Sequence, residues 1–364
     1  MSNFKIFNFA PVEFSTASGE KRKAGNPLDK LAAKGGEILE GAASWHTPQG
    51  NNEDEMCAFA ENADALMGTS IRSSPITRKI MESSDKLRIV AKCTVGYDDV
   101  DVAAATDLGI FVTNSPTEAN WGGVAEGTVA MMLAILKKVR ERDQAMKAGK
   151  WRDPSLQGTF LGTRLEDSTQ GITLCIIGLG RIGRRVATLL APWRIRMLAY
   201  DPYVERARFA LHNVIETDLD TLLAESDVVT LHVTLTDSSR KMINAETLAK
   251  MKPSAILLNT SRGAVIDEKS LIAALESKSI AAAGLDVFED EPLAKNSPLF
   301  KLGHKVLLAP HMVSGNLNAG LFPGVVWATE CIEKALKGEV PESVINPEIL
   351  PRWRQRFGNK AIIG

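Results

Sequence analysis

Cysteine is scarce in this chain, and its four copies (Cys57, Cys93, Cys175, Cys331) lie far apart, one of them inside an apolar strand-like run. That scatter suits reduced, buried thiols better than a disulfide framework or a metal site, so reduced thiols and no bound metal are expected. An excess of charge of one sign is also missing. Lys and Arg number 43 against 44 Asp and Glu, a formal net charge of −1, which offers no electrostatic attraction to nucleic acid or an anionic membrane. No apolar run approaches the length of a membrane span, and the opening Met-Ser-Asn-Phe-Lys-Ile-Phe lacks a secretory-signal pattern, so a cytoplasmic location is expected. Repeats and low-complexity tracts are absent. What remains is ordinary for a globular protein: 45% apolar and 24% charged residues over 364 positions, enough chain for two domains with separate cores.

The most informative segment is residues 172–201. Ile-Thr-Leu-Cys-Ile-Ile precedes Gly178-Leu-Gly180-Arg-Ile-Gly183, a helical stretch follows, and Met-Leu-Ala-Tyr ends at Asp201, eighteen residues past Gly183. Strand, glycine turn, helix, strand and acid stand in dinucleotide-binding order. Gly178 permits the tight turn, Gly180 lets a pyrophosphate approach the backbone, and Gly183 lets the helix pack on the strand. The phosphates would meet the N–H groups of Arg181 and Ile182 at the positive helix end. Asp201 would accept hydrogen bonds from the ribose hydroxyls and repel a 2′-phosphate, which favours NAD over NADP even with Arg206 nearby.

Apolar runs and helix-like stretches alternate on both sides of this motif. Ile6–Phe9, Ala65–Met67, Leu87–Ala91 and Ile110–Thr113 read as strands of a first parallel sheet. Asn114-Ser-Pro116 interrupts, and a helix is expected from about Gly123 to Lys147. Its apolar coverage exceeds what one sheet face needs, which suggests a partner subunit. Six further strands are expected at Leu174–Ile177, Met197–Tyr200, Val228–Leu231, Ala255–Leu258, Ala282–Leu285 and Val306–Leu308. The expected fold is therefore α/β, with two doubly wound parallel-sheet domains. Residues 1–119 and 317–364 form a substrate domain of flavodoxin-like type, and 120–316 form a Rossmann nucleotide domain inserted into it. A basic tail after Pro347 is expected to pack back on the first domain.

Three strand ends of the second domain carry groups that apolar packing does not need. Ala255-Ile-Leu-Leu-Asn-Thr-Ser opens into Arg262, Ala283-Gly-Leu into Asp286 with Glu291 beyond, and Val306-Leu-Leu-Ala-Pro into His311. Singly, each has a bland reading as a surface ion pair, a structural histidine or a solvated acidic turn. In a doubly wound sheet, however, the carboxyl ends of strands open on the ligand crevice. Arg, Glu and His beside a nicotinamide suit reduction of a 2-oxo acid. The guanidinium holds the carboxylate bidentately, the imidazole exchanges a proton with the carbonyl oxygen, and a carboxylate behind the ring orients it and favours its charged form.

The segments Val95-Gly-Tyr-Asp98, Gly178-Leu-Gly-Arg-Ile-Gly183, Tyr200-Asp-Pro202, Asn259-Thr-Ser-Arg-Gly263, Asp286-Val-Phe-Glu-Asp-Glu-Pro292 and Ala309-Pro-His311 resemble the D-2-hydroxy acid dehydrogenase family along nearly the whole chain. The resemblance implies an NAD-dependent enzyme interconverting a small 2-oxo acid and its D-2-hydroxy acid. It implies that Arg262 binds substrate, that Glu291 pairs with His311 as the acid/base, and that Asp286 holds the nicotinamide carboxamide. Thr234 and Thr260 are placed with the cofactor contacts, the backbone at Val95 and Gly96 with the substrate carboxylate, and Arg72 with substrate anions. Family members are usually homodimers. Four features depart from the pattern: Gly127 where histidine is common, Thr234 where proline is frequent, Trp121-Gly-Gly, and Met312-Val-Ser-Gly315. The alternative is a dinucleotide-sensing scaffold similar to the C-terminal binding protein corepressors, which share the fold and the Arg/Glu/His pattern.

Overall fold

The computed structural model describes residues 3–12, 27–43, 50–69, 75–316, 320–358 and 360–364. The chain forms two compact units, one of Met1–Trp121 with Gly315–Gly364 and one of Gly122–Ser314. The expected limits were 119/120 and 316/317.

The first unit holds a parallel sheet of β1 (Phe4–Ala10), β2 (Gly36–Glu40), β3 (Ala65–Gly68), β4 (Ile89–Lys92) and β5 (Phe111–Thr113), in the order β2-β1-β3-β4-β5. Helices cover the sheet, so β3, β4 and β5 are buried throughout; they read as short apolar runs, with the buried polar residues Lys92 and Thr113 ending β4 and β5. β2 was not foreseen. It is an edge strand whose Glu37 and Glu40 are exposed, and those acids disguise its apolar pair Ile38–Leu39. The tail helix Leu350–Phe357 sets Trp353, fully buried, 4.5 Å from the Phe111 ring. The indole N–H donates to the Arg88 carbonyl at 2.9 Å.

The second unit holds seven parallel strands: β6 (Thr173–Ile177), β7 (Arg196–Tyr200), β8 (Ile215–Glu216), β9 (Val228–Leu231), β10 (Ile256–Asn259), β11 (Ala282–Leu285) and β12 (Val306–Leu308). Their order is β12-β11-β10-β9-β6-β7-β8, so the strand order reverses between β6 and β9, and that switch point is where such sheets take ligands. Six strands were expected; β8 is a two-residue edge strand with both residues exposed.

The single helix expected from Gly123 to Lys147 is two helices, Glu118–Leu136 and Val139–Lys147. Lys138 adopts a left-handed conformation between them, with φ 52°. The break is held by the ammonium groups of Lys137 and Lys138, which donate to the carbonyls of Thr159 and Ser155 at 2.6 Å each. Contrary to expectation, Glu118–Leu136 does have the length and apolar composition of a membrane span. Its Ala125, Met132 and Leu136 are buried in one core with Leu174 and Ile176 of β6.

Candidate active site

Each glycine of the nucleotide turn meets a different demand. Gly178, directly after β6, has φ +93°, and a Cβ there would lie 2.5 Å from the His232 carbonyl oxygen. A Cβ on Gly183 would lie 2.1 Å from the Gly178 carbonyl oxygen, so only glycine lets the helix Arg181–Leu190 sit this close to the turn. Around Gly180 nothing lies within 4 Å of the same position. No side chain caps this helix, and among the described residues the N–H groups of Arg181 and Ile182 have no partner. Asp201 closes the turn: its carboxylate accepts from Leu179 N–H at 2.8 Å and Tyr203 N–H at 3.0 Å. Beside it lies a hollow of about 440 Å³ lined by Tyr200, Asp201, Pro202, Arg206, Glu216 and neighbours. Open space at Gly180, donors without partners and an acid at the mouth of the hollow fit a dinucleotide. The Arg206 side chain is largely exposed and stands 3.5 Å from Glu216.

The charged groups beyond the turn follow three neighbouring strands, β10, β11 and β12. Nδ1 of His311 lies 2.7 Å from Oε2 of Glu291, whose Oε1 accepts the Phe288 N–H at 3.0 Å. The Glu291 side chain is 11% exposed and the His311 side chain 38%, so the acid backs the ring while the ring itself reaches solvent. His311 has φ 54°, a left-handed conformation that a non-glycine residue keeps only when its surroundings impose it. Asp286 imposes it. Its carbonyl accepts from His311 N–H at 2.8 Å, and its carboxylate accepts from Met312 N–H at 2.9 Å and Val313 N–H at 3.2 Å. Burial raises the Asp286 carboxyl above the usual range, against those backbone hydrogen bonds and the neighbouring His311. Arg262, half-buried, donates to its neighbour's carbonyl at Ser261. A Cβ on the following Gly263 would lie 1.8 Å from the Phe288 carbonyl oxygen, so the arginine loop and the Glu291 loop run against each other.

The remaining expected site residues fall as follows. Thr260 is buried with its hydroxyl 2.8 Å from that of Thr128, while Thr234 is exposed and its carbonyl accepts from Ser239. Val95 and Gly96 lie in the first unit, partly exposed, and their N–H groups have no partner among the described residues. Arg72 lies outside the described residues.

Two contributors escaped the sequence reading. Asn259, fully buried, accepts from the Ser261 N–H at 3.0 Å and hydroxyl at 2.8 Å and donates to the Arg262 carbonyl at 2.8 Å; an asparagine ending an apolar strand was the available signal. Gly127 was seen only as a departure. A Cβ there would lie 2.1 Å from Val313 Cγ2 and 2.5 Å from the Val313 carbonyl oxygen, so the glycine admits the chain that follows His311, and two of the departures are one adjustment.

The profile described as D-isomer specific 2-hydroxyacid dehydrogenase, NAD binding domain matches residues 129–313. A glyoxylate reductase of Thermofilum pendens is 38% identical over 306 residues, 82% of this chain and 86% of that one. The chain belongs to the D-isomer specific 2-hydroxyacid dehydrogenase family. A D-3-phosphoglycerate dehydrogenase of Synechocystis is 35% identical over 331 residues, 90% of this chain but 57% of the relative. Among solved structures, a glyoxylate reductase from Paecilomyes thermophila superposes with TM-score 0.78 at 24% identity, covering 96% of this chain and all of that one, and shares the fold. This dehydrogenase is accordingly an NAD-dependent oxidoreductase, and the nucleotide turn lies in its second unit.

Proposed function

We propose that the enzyme interconverts a small 2-oxo acid and its D-2-hydroxy acid, with His311 as the acid/base. The observation that carries this reading is the 2.7 Å pair of His311 Nδ1 with a largely buried Glu291. With Nδ1 engaged, Nε2 is the ring nitrogen left to give a proton to the substrate oxygen during reduction and to take it back in oxidation. Arg262 binds a substrate carboxylate and polarises the adjacent carbonyl. In the first unit, the N–H groups of Val95 and Gly96 are suited to receive a carboxylate. Asp286 holds the backbone at His311, Met312 and Val313 and is the group proposed to take the nicotinamide carboxamide. The bound dinucleotide supplies the hydride. Gly180, Arg181 and Ile182 hold its pyrophosphate, and Asp201 its ribose hydroxyls, with NAD preferred to NADP. The exposed Val139, Met146, Trp151 and Phe160 of the second unit support a homodimer, and free cysteines support a cytoplasmic location. NADH oxidation measured with glyoxylate, pyruvate, hydroxypyruvate, an aromatic and a phosphorylated 2-oxo acid tests the reading. Turnover with at least one, giving the D product, is expected. A chain that binds NADH tightly and reduces none of them would contradict it and favour a sensing role.

A further inference from the structure

A buried ion pair in the first unit has no part in the chemistry above. Lys92, the last residue of β4, is fully buried, and its ammonium lies 2.6 Å from Oδ2 of Asp99, itself nearly buried. The same ammonium donates to the Thr69 carbonyl at 2.7 Å and stands 5.1 Å from the Phe9 ring centroid. Withdrawing an ammonium and a carboxylate from water costs several kcal/mol per ion, and well-packed apolar residues often do as well for stability. A pair of this kind therefore calls for a reason other than stability.

Its position supplies one. Lys92 and Asp99 are the two ends of the loop 93–98, which carries Val95 and Gly96. Thr69 is the last described residue before the segment 70–74, which contains Arg72. One ammonium thus joins both ends of the loop and the Thr69 carbonyl that follows β3. Inside the loop, the Thr94 hydroxyl donates to the Gly96 carbonyl at 2.9 Å, and Asn114 Nδ2 donates to the Val95 carbonyl at 2.8 Å. Carbonyl groups are thereby turned to protein donors while the Val95 and Gly96 N–H groups have no partner among the described residues. At the far end, the Asp99 carbonyl accepts from Ile76 N–H at 2.7 Å, so a shift of Asp99 would pull on both chains.

We propose that Lys92 and Asp99 are positioning residues: their buried pair clamps the loop 93–98 so that the N–H groups of Val95 and Gly96 form a preset receptor for a substrate carboxylate. The proposal rests on the assignment of that carboxylate to Val95 and Gly96. Preset donors act by avoiding reorganisation when the anion arrives, so loosening the clamp weakens substrate binding more than it slows turnover. It leaves the nucleotide turn, in the second unit, untouched.

The test uses the full-length double variant Lys92→Met/Asp99→Leu, in which an apolar pair replaces the ionic one, with glyoxylate, NADH and amide hydrogen exchange. Expected are a Tm at or above that of the parent, an unchanged NADH Kd, a glyoxylate KM raised about tenfold to a hundredfold with a smaller fall in kcat, and faster exchange at Val95 and Gly96. Asp99→Asn, which leaves the ammonium without its counter-charge and is expected to lower Tm, carries the KM, Kd and exchange readouts should the double variant not fold. A folded variant with parental KM and parental exchange would overturn the clamp alone. A parent that reduces no 2-oxo acid would overturn the functional reading and the clamp with it.

Discussion

Alanine at Gly180 and alanine at Gly183 add the same methyl group, three residues apart, to opposite effect. At Gly183 the new carbon falls 2.1 Å from the Gly178 carbonyl oxygen and 3.0 Å from Ile176 Cγ2, and a backbone oxygen cannot move without parting the helix from β6. Over-packing costs about 1–3 kcal/mol, and a backbone obstacle places this case at the upper end. At Gly180 nothing lies within 4 Å, and φ is −71°, open to any residue. The loss there is confined to helix capping, about 1 kcal/mol or less. Binding follows the reverse order. The Gly180 methyl occupies the space through which a pyrophosphate meets the Arg181 and Ile182 N–H groups, and one lost hydrogen bond to a charged group is worth about 1.5–3 kcal/mol. That corresponds to an NADH affinity reduced about tenfold to a hundredfold. Urea denaturation and NADH fluorescence titration, at fixed salt, read the two quantities separately. A Gly180→Ala variant that binds NADH as the parent does, or loses as much stability as Gly183→Ala, would refute the reasoning.

Further outcomes follow from the same structure. Arg262→Lys keeps the charge and loses the bidentate fork, so steady-state kinetics should show KM for a 2-oxo acid rising and kcat falling together, about tenfold or more in kcat/KM. Asp286→Asn preserves shape but replaces one acceptor by an amide facing the Val313 N–H, leaving a single oxygen for Met312 and Val313. Turnover should fall, with a smaller loss of NADH affinity from the carboxamide contact that the resemblance assigns to Asp286, and an unchanged kcat would remove Asp286 from its hold on His311. His232 has a buried Nδ1 with no partner although the residue as a whole is partly exposed, and burial lowers its pKa to about 3. The unfolded chain takes up that proton near pH 6.5 and the folded chain does not, so stability should fall as pH drops from about 6.5 toward 3, by up to about 1.4 kcal/mol per unit. The urea midpoint of the parent should therefore fall more steeply between pH 7 and 4 than that of His232→Gln, and equal slopes would refute the assignment.

The interior strands were legible because parallel strands covered on both faces are buried at every position and mostly apolar, as β9 and β11 are. Edge strands gave no such pattern: in β2 two exposed acids flank a half-buried aliphatic pair, and β8 is too short for any period. The break between Glu118–Leu136 and Val139–Lys147 was hidden because Lys137 and Lys138 look like a basic helix end. What turns the chain is their reach to carbonyls some twenty residues away. At the candidate site, the glycine turn and the Arg262, Glu291 and His311 blocks could be read in order along the chain. The left-handed backbone of His311, the grip of Asp286 on the residues after it and the fit of Gly127 against Val313 depend on tertiary contacts, and no spacing in the sequence announces them.

The central claim, that His311 passes the proton in reduction of a 2-oxo acid, is tested most directly by comparing the parent with His311→Ala. NADH oxidation with the best 2-oxo acid of the panel is measured beside NADH binding by fluorescence. Loss of a positioned acid/base lowers kcat about a hundredfold to ten-thousandfold, and NADH affinity should stay close to that of the parent. A His311→Ala enzyme that keeps parental kcat while chemistry limits the rate would contradict the account.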